Sequence, residues 1–474
     1  MAKKHSVLPL LLVLLQSCTV GPNFHRPKLP ELPNAFAHED NSTKVQAPTT
    51  AADDAFWQRF ADPQLSGLVK AALAANPDLR TALAHYDAAN ALLREVRFDE
   101  IPTVTMTAQA GHQRVSKDEA NDAARSHDLY GNKSSLTWEL DLLGRVRRSV
   151  ESQRSEVAAR ANELQAMQVT VVSDVANSYI DLRAAQKMLR LSRANADSQR
   201  QTLAIVQGRL DAGRSSTYDL SRTQAQLETT LSRIPQLQAR IAVDRHRLAV
   251  LAGLTPTAPD AQLQQDSDMP AIPEDIEPGT PAEIIRRRPD VAAAEHRLHA
   301  ATARVGVATA DLFPRVSLGA ALGTYAFHGG GLYAAGSESN LALLGIDWSF
   351  LDVGRVRSRI AAADAEAAAQ LASYQKTVLG ALEDVDNAQA RFARNKEENA
   401  RRLSAANDWK TAATLSNARY QAGAIELFEL LDVQRSMYDA QLSQADSQAR
   451  STSSAVDLFV ALAGGWPQYL PSQH

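Results

Sequence analysis

The chain has 474 residues, a formal net charge of −4, few aromatics and a single cysteine. So balanced a charge does not suggest bulk binding to nucleic acid, and one cysteine excludes an intrachain disulfide. No run of about 20 apolar residues occurs, so no transmembrane helix is predicted.

Lys3 and Lys4, the apolar run Val7–Leu15 and the exit Ser17-Cys18 have the order of a secretory signal, predicted to occupy residues 1–17. Leu15-Gln16-Ser17-Cys18 resembles the bacterial lipobox, in which the cysteine is acylated and becomes the first mature residue. Cys18 is therefore the expected lipidation site, and Thr19 behind it resembles lipoproteins sent on to the outer membrane. Residues 18–55, rich in Pro, Ala, Asn and Thr, read as a lipid-anchored extended linker.

The body of the chain is written twice. Trp138–Arg147 returns as Trp348–Arg357, and Arg209–Gly213 as Arg419–Gly423, both at an offset of 210 residues. Asn76-Pro77-Asp78 and Ile101-Pro102 return at an offset of 212, as Arg288-Pro289-Asp290 and Phe313-Pro314. A near-constant offset marks a duplicated structural unit. The first repeat is expected over 56–253 and the second over 280–465, with a linker at 254–279 and a tail at 466–474.

In the first repeat, strands are expected at about 102–113 and 130–142, then helices at 145–211 and 217–251. Thr103–Ala110 and Ser135–Leu142 alternate polar and apolar residues. In the second repeat the strands fall at about 314–327 and 340–351, with looser alternation, and the helices at 355–420 and 426–463. Period two over segments of about ten residues fits outer-membrane barrel strands, and equally a half-buried soluble sheet. Glu139, Asp141 and Asp347 suit a wet lumen, and the loops Arg114–His127 and His328–Asn340 would face outside the cell. Four strands cannot close a membrane barrel. Two chains would supply eight and three would supply twelve, enough for an open lumen, which makes a trimer the economical solution.

Between Arg145 and Asp211 there is no proline and no glycine except Gly208, and Val157, Leu164 and Val171 recur at seven, with Val175, Leu182 and Leu189 on an offset register. Some 65 helical residues span about 100 Å. Gly213 and Gly423 end the two rods as left-handed caps, and a second helix runs back from each.

Four stretches resemble one family: Cys18–Pro27, Arg287–Glu295, Phe313–Leu318, and Tyr420–Gly423 with Leu427–Ser436. They resemble the TolC-like outer-membrane factors of tripartite efflux pumps, in the lipoprotein branch that serves RND-type transporters. The resemblance implies a mixed, mainly α fold. A trimeric β-barrel in the outer membrane, four strands per protomer, continues into a long periplasmic α-helical barrel built on the twofold repeat. It implies a periplasmic gate of Phe428, Glu429 and Asp432, the first and last sharing a helix face at i, i+4. Ile425 stands where some relatives carry a basic residue. The turns at Gly213 and Gly423, at matched far ends of both rods, are expected to dock the adaptor. Implied partners are two further copies, a periplasmic adaptor (membrane fusion) protein, an inner-membrane RND-type transporter and outer-membrane lipid, with no nucleic acid.

Catalytic signals are weak. His328-Gly329-Gly330-Gly331 imitates an esterase oxyanion loop without a Gly-x-Ser-x-Gly elbow, so no enzyme is expected. His296 and His299, i, i+3 on a helix, read as a solvated pair rather than a metal site. Arg286-Arg287-Arg288 is expected at a helix C-terminus, where the macrodipole favours cations. No metal is expected, and no cofactor beyond covalent lipid on Cys18. Two function classes follow: an export duct for small molecules, with type I protein secretion as a rival on the same fold, or a non-pore periplasmic coiled-coil scaffold. The paired strands favour the duct.

Overall fold

A computed structural model describes residues 19–28, 55–120, 125–257, 263, 267–273, 276 and 280–462. The signal peptide, Cys18, most of the two linkers and the tail lie outside the described residues. In chain order the elements are α1 (Pro63–Ala75), α2 (Pro77–Arg97), β1 (Thr103–Arg114), β2 (Ser126–Leu140), α3 (Arg145–Asp211), α4 (Thr217–Leu251), α5 (Pro281–Arg287), α6 (Pro289–Ala310), β3 (Arg315–Ala326), β4 (Glu338–Asp347), α7 (Val353–Gln421) and α8 (Leu427–Ala461). They fall into two compact units. One takes the described residues of 1–29, 84–162 and 292–377, the other those of 30–83, 163–291 and 378–474.

The first unit holds a four-stranded antiparallel sheet in the order β1-β2-β3-β4. Its register pairs Thr103 with Thr137, Trp138 with Leu318, and Leu318 with Leu344. Even-numbered residues therefore share one face and odd-numbered residues the other. The even face carries Val104, Met106, Leu136, Trp138, Leu318, Leu322, Leu344 and Ile346. The odd face of β1 to β3 carries Thr103, Thr105, Thr107, Ser135, Thr137, Glu139 and Ser317. Met106 is 75% exposed, Ile346 69% and Leu322 68%, so the even face presents a large exposed apolar surface. On β4 the odd face departs from the pattern: Leu343 lies over Gly319, where a Cβ would come within 3.0 Å of it.

The repeat is visible at atomic detail. Trp138 Nε1 donates to the Glu100 carbonyl at 3.2 Å, and its counterpart Trp348 donates to the Leu312 carbonyl at 3.1 Å. The copies also differ. β4 ends at Asp347, short of the expected 351, and Phe350–Asp352 forms a 3-10 turn. The residue that would face Trp348 across the ladder is Pro314, which has no N–H to give. β2 continues to Leu140 because β3 pairs it from its other side. At the hairpin ends β2 starts at Ser126 and β4 at Glu338, earlier than expected, because pairing continues to Arg114↔Ser126 and Thr324↔Glu338. At the rim His112 Nδ1 lies 2.9 Å from Asp128 Oδ1, and Nε2 lies 2.8 Å from Ser126 Oγ, closing the first hairpin.

The strand-to-helix turn explains Glu139–Arg147 of the first copy, whereas the counterpart glycine of the second, Gly354, lies inside α7. Gly144 takes φ 82°, and a Cβ there would collide with Thr19. Asp141 accepts from the backbone N–H of Val146 at 3.1 Å and of Arg147 at 2.9 Å, satisfying orphan donors at the start of α3. Arg145 binds Glu139 with both arms of its guanidinium, at 2.7 and 2.6 Å.

The second unit is a helical assembly with one large core. Phe56, Trp57, Phe60, Leu65 and Val69 pack against Val171–Ile180 of α3, Leu248 and Leu251 of α4, and Val456 and Phe459 of α8. Phe56 stacks on Phe459 with centroids 5.1 Å apart. Of the heptad residues, Leu164, Val171, Val175 and Leu182 are buried, whereas Val157 and Leu189 are half-buried. Asp62 caps α1, accepting from Gln64 N at 2.8 Å and Leu65 N at 3.0 Å, while the buried Tyr179 hydroxyl donates to it at 2.8 Å. Small buried residues of α8, among them Ala445, Ser447, Ser451, Thr452 and Ala455, permit close helix approach.

Candidate functional site

Both hairpin turns are built alike. Gly213 and Gly423 have φ of 65° and 72°, which glycine adopts without cost. Arg214 N donates to the Arg209 carbonyl at 2.7 Å and Ala424 N to that of Arg419 at 2.8 Å, the 6→1 bond of a Schellman cap. The return helices start differently. Ser216 and Asp219 form a capping box on α4, and the hydrogen bonds from Ser216 hold the Asp219 carboxyl below the usual range. Glu426 precedes α8 with no side-chain cap, so the start of α8 lacks a restraint typically worth about 1 kcal/mol.

Phe428, Glu429 and Asp432 all lie on the first two turns of α8. Leu427, Leu430 and Leu431 are buried against Val206 and Tyr420, which turns Phe428 outward at 62% exposure. Glu429 is also exposed, and Asp432 is half-exposed on the Phe428 face. Two residues that the sequence reading missed join them. The Arg222 guanidinium of α4 lies 4.4 Å above the Phe428 ring, a cation–π contact worth about 0.5–1 kcal/mol at an exposed site. Arg435 pairs with Asp432 at 2.9 Å, so each Asp432 carries its own counter-charge. The second was legible as an i, i+3 pair; the first depends on how α4 lies beside α8.

Next to the sheet, Thr19–Lys28 forms a strap docked on the first unit. Arg148, 3% exposed, donates to Asn23 Oδ1 at 2.6 Å, the Val20 carbonyl at 3.3 Å and Glu151 Oε2 at 2.7 Å. Glu151 reaches His299 at 2.8 Å, His299 stacks on Phe24 at 4.4 Å, and Arg26 pairs with Glu295 at 2.7 Å. Burial raises the Glu151 carboxyl, but the hydrogen bonds from His299 and Arg148 more than offset this and hold it below the usual range. Gly306 makes room, because a Cβ there would press on Arg148 at 2.9 Å.

The expected solvated pair of His296 and His299 is thus corrected: His299 belongs to the strap contact, and burial lowers the pKa of His296. Arg286 and Arg287 close α5. Arg288 caps it, reaching Asp290 at 2.7 Å and Asp384 at 3.0 Å. His328 precedes a 3-10 turn, Gly329–Gly331. Among the described residues no group of three or more His, Cys, Asp or Glu could hold a metal ion. None of the described helices is long and apolar enough to cross a membrane.

Comparison with known proteins agrees with this architecture. The model of the outer membrane efflux protein family matches residues 68–254 and again 280–464, one match per repeat. Nodulation protein T of Rhizobium leguminosarum bv. viciae is 31% identical, covering 97% of this chain and 93% of the relative. The toluene efflux pump outer membrane protein TtgF of Pseudomonas putida is 30% identical, covering 98% and 97%. The solved outer-membrane channel OprN superposes with a TM-score of 0.85 at 34% identity, over 95% of this chain and all of that one. These proteins are channels and efflux components rather than enzymes. The chain's fold is accordingly that of barrel-and-helical-tunnel channels, its place is the outer membrane with extension into the periplasm, and its role is efflux. With the family match repeated across both halves, this chain belongs to the outer membrane efflux protein family.

Proposed function

We propose that the chain is the exit duct of a tripartite efflux pump, assembled from three copies. It passively conducts small molecules such as drugs from an inner-membrane RND-type transporter and a periplasmic adaptor to the exterior. The observation that carries this reading is the exposed apolar even face together with β1 and β4, each paired on one side only. Left alone, such a sheet is a template for aggregation. Joined β4 to β1 around three copies, every edge is paired, as hydrocarbon requires, the even face meets lipid and the threonine-rich face lines water. A duct makes and breaks no bond during export, so the role calls for no cofactor beyond lipid. The toluene efflux pump of the Pseudomonas putida relative supports small apolar molecules as cargo. Purified protein should have a trimeric mass and insert discrete conducting channels in planar bilayers. A monomer that conducts nothing would overturn the reading.

Within it, residues 1–17 are the signal peptide, 18–55 the lipid-anchored linker, 56–253 and 280–465 the two repeats, 254–279 the linker between them, and 466–474 the tail. Cys18 carries lipid, and Val20 N bound to the Leu143 carbonyl at 3.1 Å sets the chain beside the foot of β2, where an acyl anchor would meet the bilayer. Mass spectrometry of the mature N-terminal peptide should find an acylated cysteine; an unmodified one refutes the assignment. Phe428, Glu429 and Asp432 form the periplasmic gate. Gly213 and Gly423 form the adaptor-docking turns. Bulky replacement of either glycine strains a left-handed backbone with open space around it, so pump assembly should weaken while trimers persist. Adaptor crosslinks mapping near residues 254–279 would contradict this.

A further inference from the structure

Along the pairing of α3 with α4 runs a ladder of ion pairs. Arg240 reaches Asp181 at 2.8 Å, and seven residues along each helix Arg247 reaches Asp174 at 2.8 Å. Asp244 stands between the rungs, on the same face of α4 as Arg240 and Arg247 by the i, i+4, i+7 rule. Its side chain is only 17% exposed. Its Oδ2 is buried without a hydrogen bond, and the nearest cationic nitrogen, Arg240 Nε, is 3.9 Å away. One guanidinium therefore faces two carboxylates and is committed to the one it touches.

We propose that Asp244 is an acid-set latch on the α3–α4 hairpin: with Asp244 protonated α3 and α4 pair tightly at this level, and with Asp244 ionised the pairing loosens. The charges acting on the group are Asp181 from α3 and Arg240 from α4 itself. Asp174 and Arg247 satisfy one another a turn away, and the neighbouring Ile241 and Leu248 of α4 are apolar. Burial, then repulsion from Asp181, only partly opposed by Arg240, push the Asp244 carboxyl from 3.8 up to about 6. The sign follows from proton linkage. The paired helices hold this proton more tightly than the opened ones, so pairing is strongest at low pH, declines between about pH 4 and 6, and stays weaker above. Protonation also removes the poorly compensated negative charge from the buried Oδ2. The consequence for the duct, a helical tunnel whose α3–α4 hairpin stiffens as the periplasm acidifies, rests on the function proposed above.

The test is hydrogen–deuterium exchange of the full-length protein in nanodiscs at pH 5 and pH 7.5, corrected for intrinsic exchange rates, read on peptides covering 170–185 and 236–251. Wild type should lose severalfold in protection from the lower to the higher pH, because a shift from 3.8 to about 6 sets a ceiling near tenfold between these two pH values and partial exposure reduces it. Asp244→Asn keeps the volume and removes the titration, so it should be equally protected at both values. Asp181→Asn removes the repulsion and should move the wild-type transition to lower pH. Wild-type protection that does not change between the two pH values, or that changes equally in Asp244→Asn, overturns the latch. Channel conductance measured on the same samples separates the two claims. Protein that conducts but shows no pH-dependent protection refutes the latch alone, whereas protein that shows it but never conducts refutes the duct.

Discussion

Replacing Phe428 and Asp432 together by alanine should raise single-channel conductance several-fold. Both residues sit on the outward face of α8, one turn apart, while Leu427, Leu430 and Leu431 anchor the opposite face. If threefold symmetry brings this face to an axis, three phenyl rings exclude water there and three carboxylates with their Arg435 partners fill the ring below. The double substitution removes both obstructions and leaves the buried anchors intact. It also frees Arg222, whose guanidinium lies over the Phe428 ring. Asp432→Asn alone removes charge at nearly constant volume and releases Arg435, so cation preference should fall with a smaller change in conductance. Conductance and selectivity unchanged in both variants would show that these residues do not line the constriction.

Substituting Arg148 by methionine should undock the strap. The guanidinium is buried and answers Asn23, the Val20 carbonyl and Glu151 at once. Its loss should cost about 1–3 kcal/mol, because the half-buried Val20 carbonyl and Glu151 lose a donor, although Asn23 is exposed and Glu151 keeps His299. Arg148→Lys keeps the charge but loses the fork and should cost less. Limited trypsinolysis reads the effect, since the Lys28–Leu29 bond lies at the end of the strap and should be cut much faster once it is released, whereas Arg26 is shielded from trypsin by Pro27. Gly306→Ala should accelerate cutting in the same direction with every charge in place, because the added methyl presses on the Arg148 side chain. Wild-type cutting rates in Arg148→Met would mean that the strap is held by something other than this contact.

The parts legible in the sequence were those written in local period. Alternation in Thr103–Ala110 and Ser135–Leu142 located strands, and the unbroken helix formers after Arg145 located the rods. In the first copy of the duplicated Trp138–Arg147 motif the structure explains the glycine and the capping aspartate, whereas in the second Gly354 lies inside α7. Register was not legible, because β2 meets β3 only after the chain has run through α3 and α4. The shortened β4 was readable in principle from Pro314, had its facing partner been known. The strap contact left one usable signal. Gly306 lies inside α6, where glycine costs about 1 kcal/mol against alanine, and such a residue marks a close approach. Arg148 itself, one of three arginines within four residues, carried no mark of its burial. At the proposed gate, the family resemblance of Leu427–Ser436 pointed to Phe428 and Asp432. Arg222 had no local signal, since its contact arises from the packing of two hairpins.

The central claim is that small molecules leave the cell through this chain. Its most direct test is the intracellular accumulation of a fluorescent efflux dye in a strain lacking the chain but keeping its transporter and adaptor. Accumulation should rise to the level seen when the transporter itself is deleted, and wild-type protein supplied in trans should restore it to baseline. Accumulation equal to the parent strain, with cargo proteins retained in the periplasm or cytoplasm instead, would contradict the account and favour a secretion conduit on the same fold.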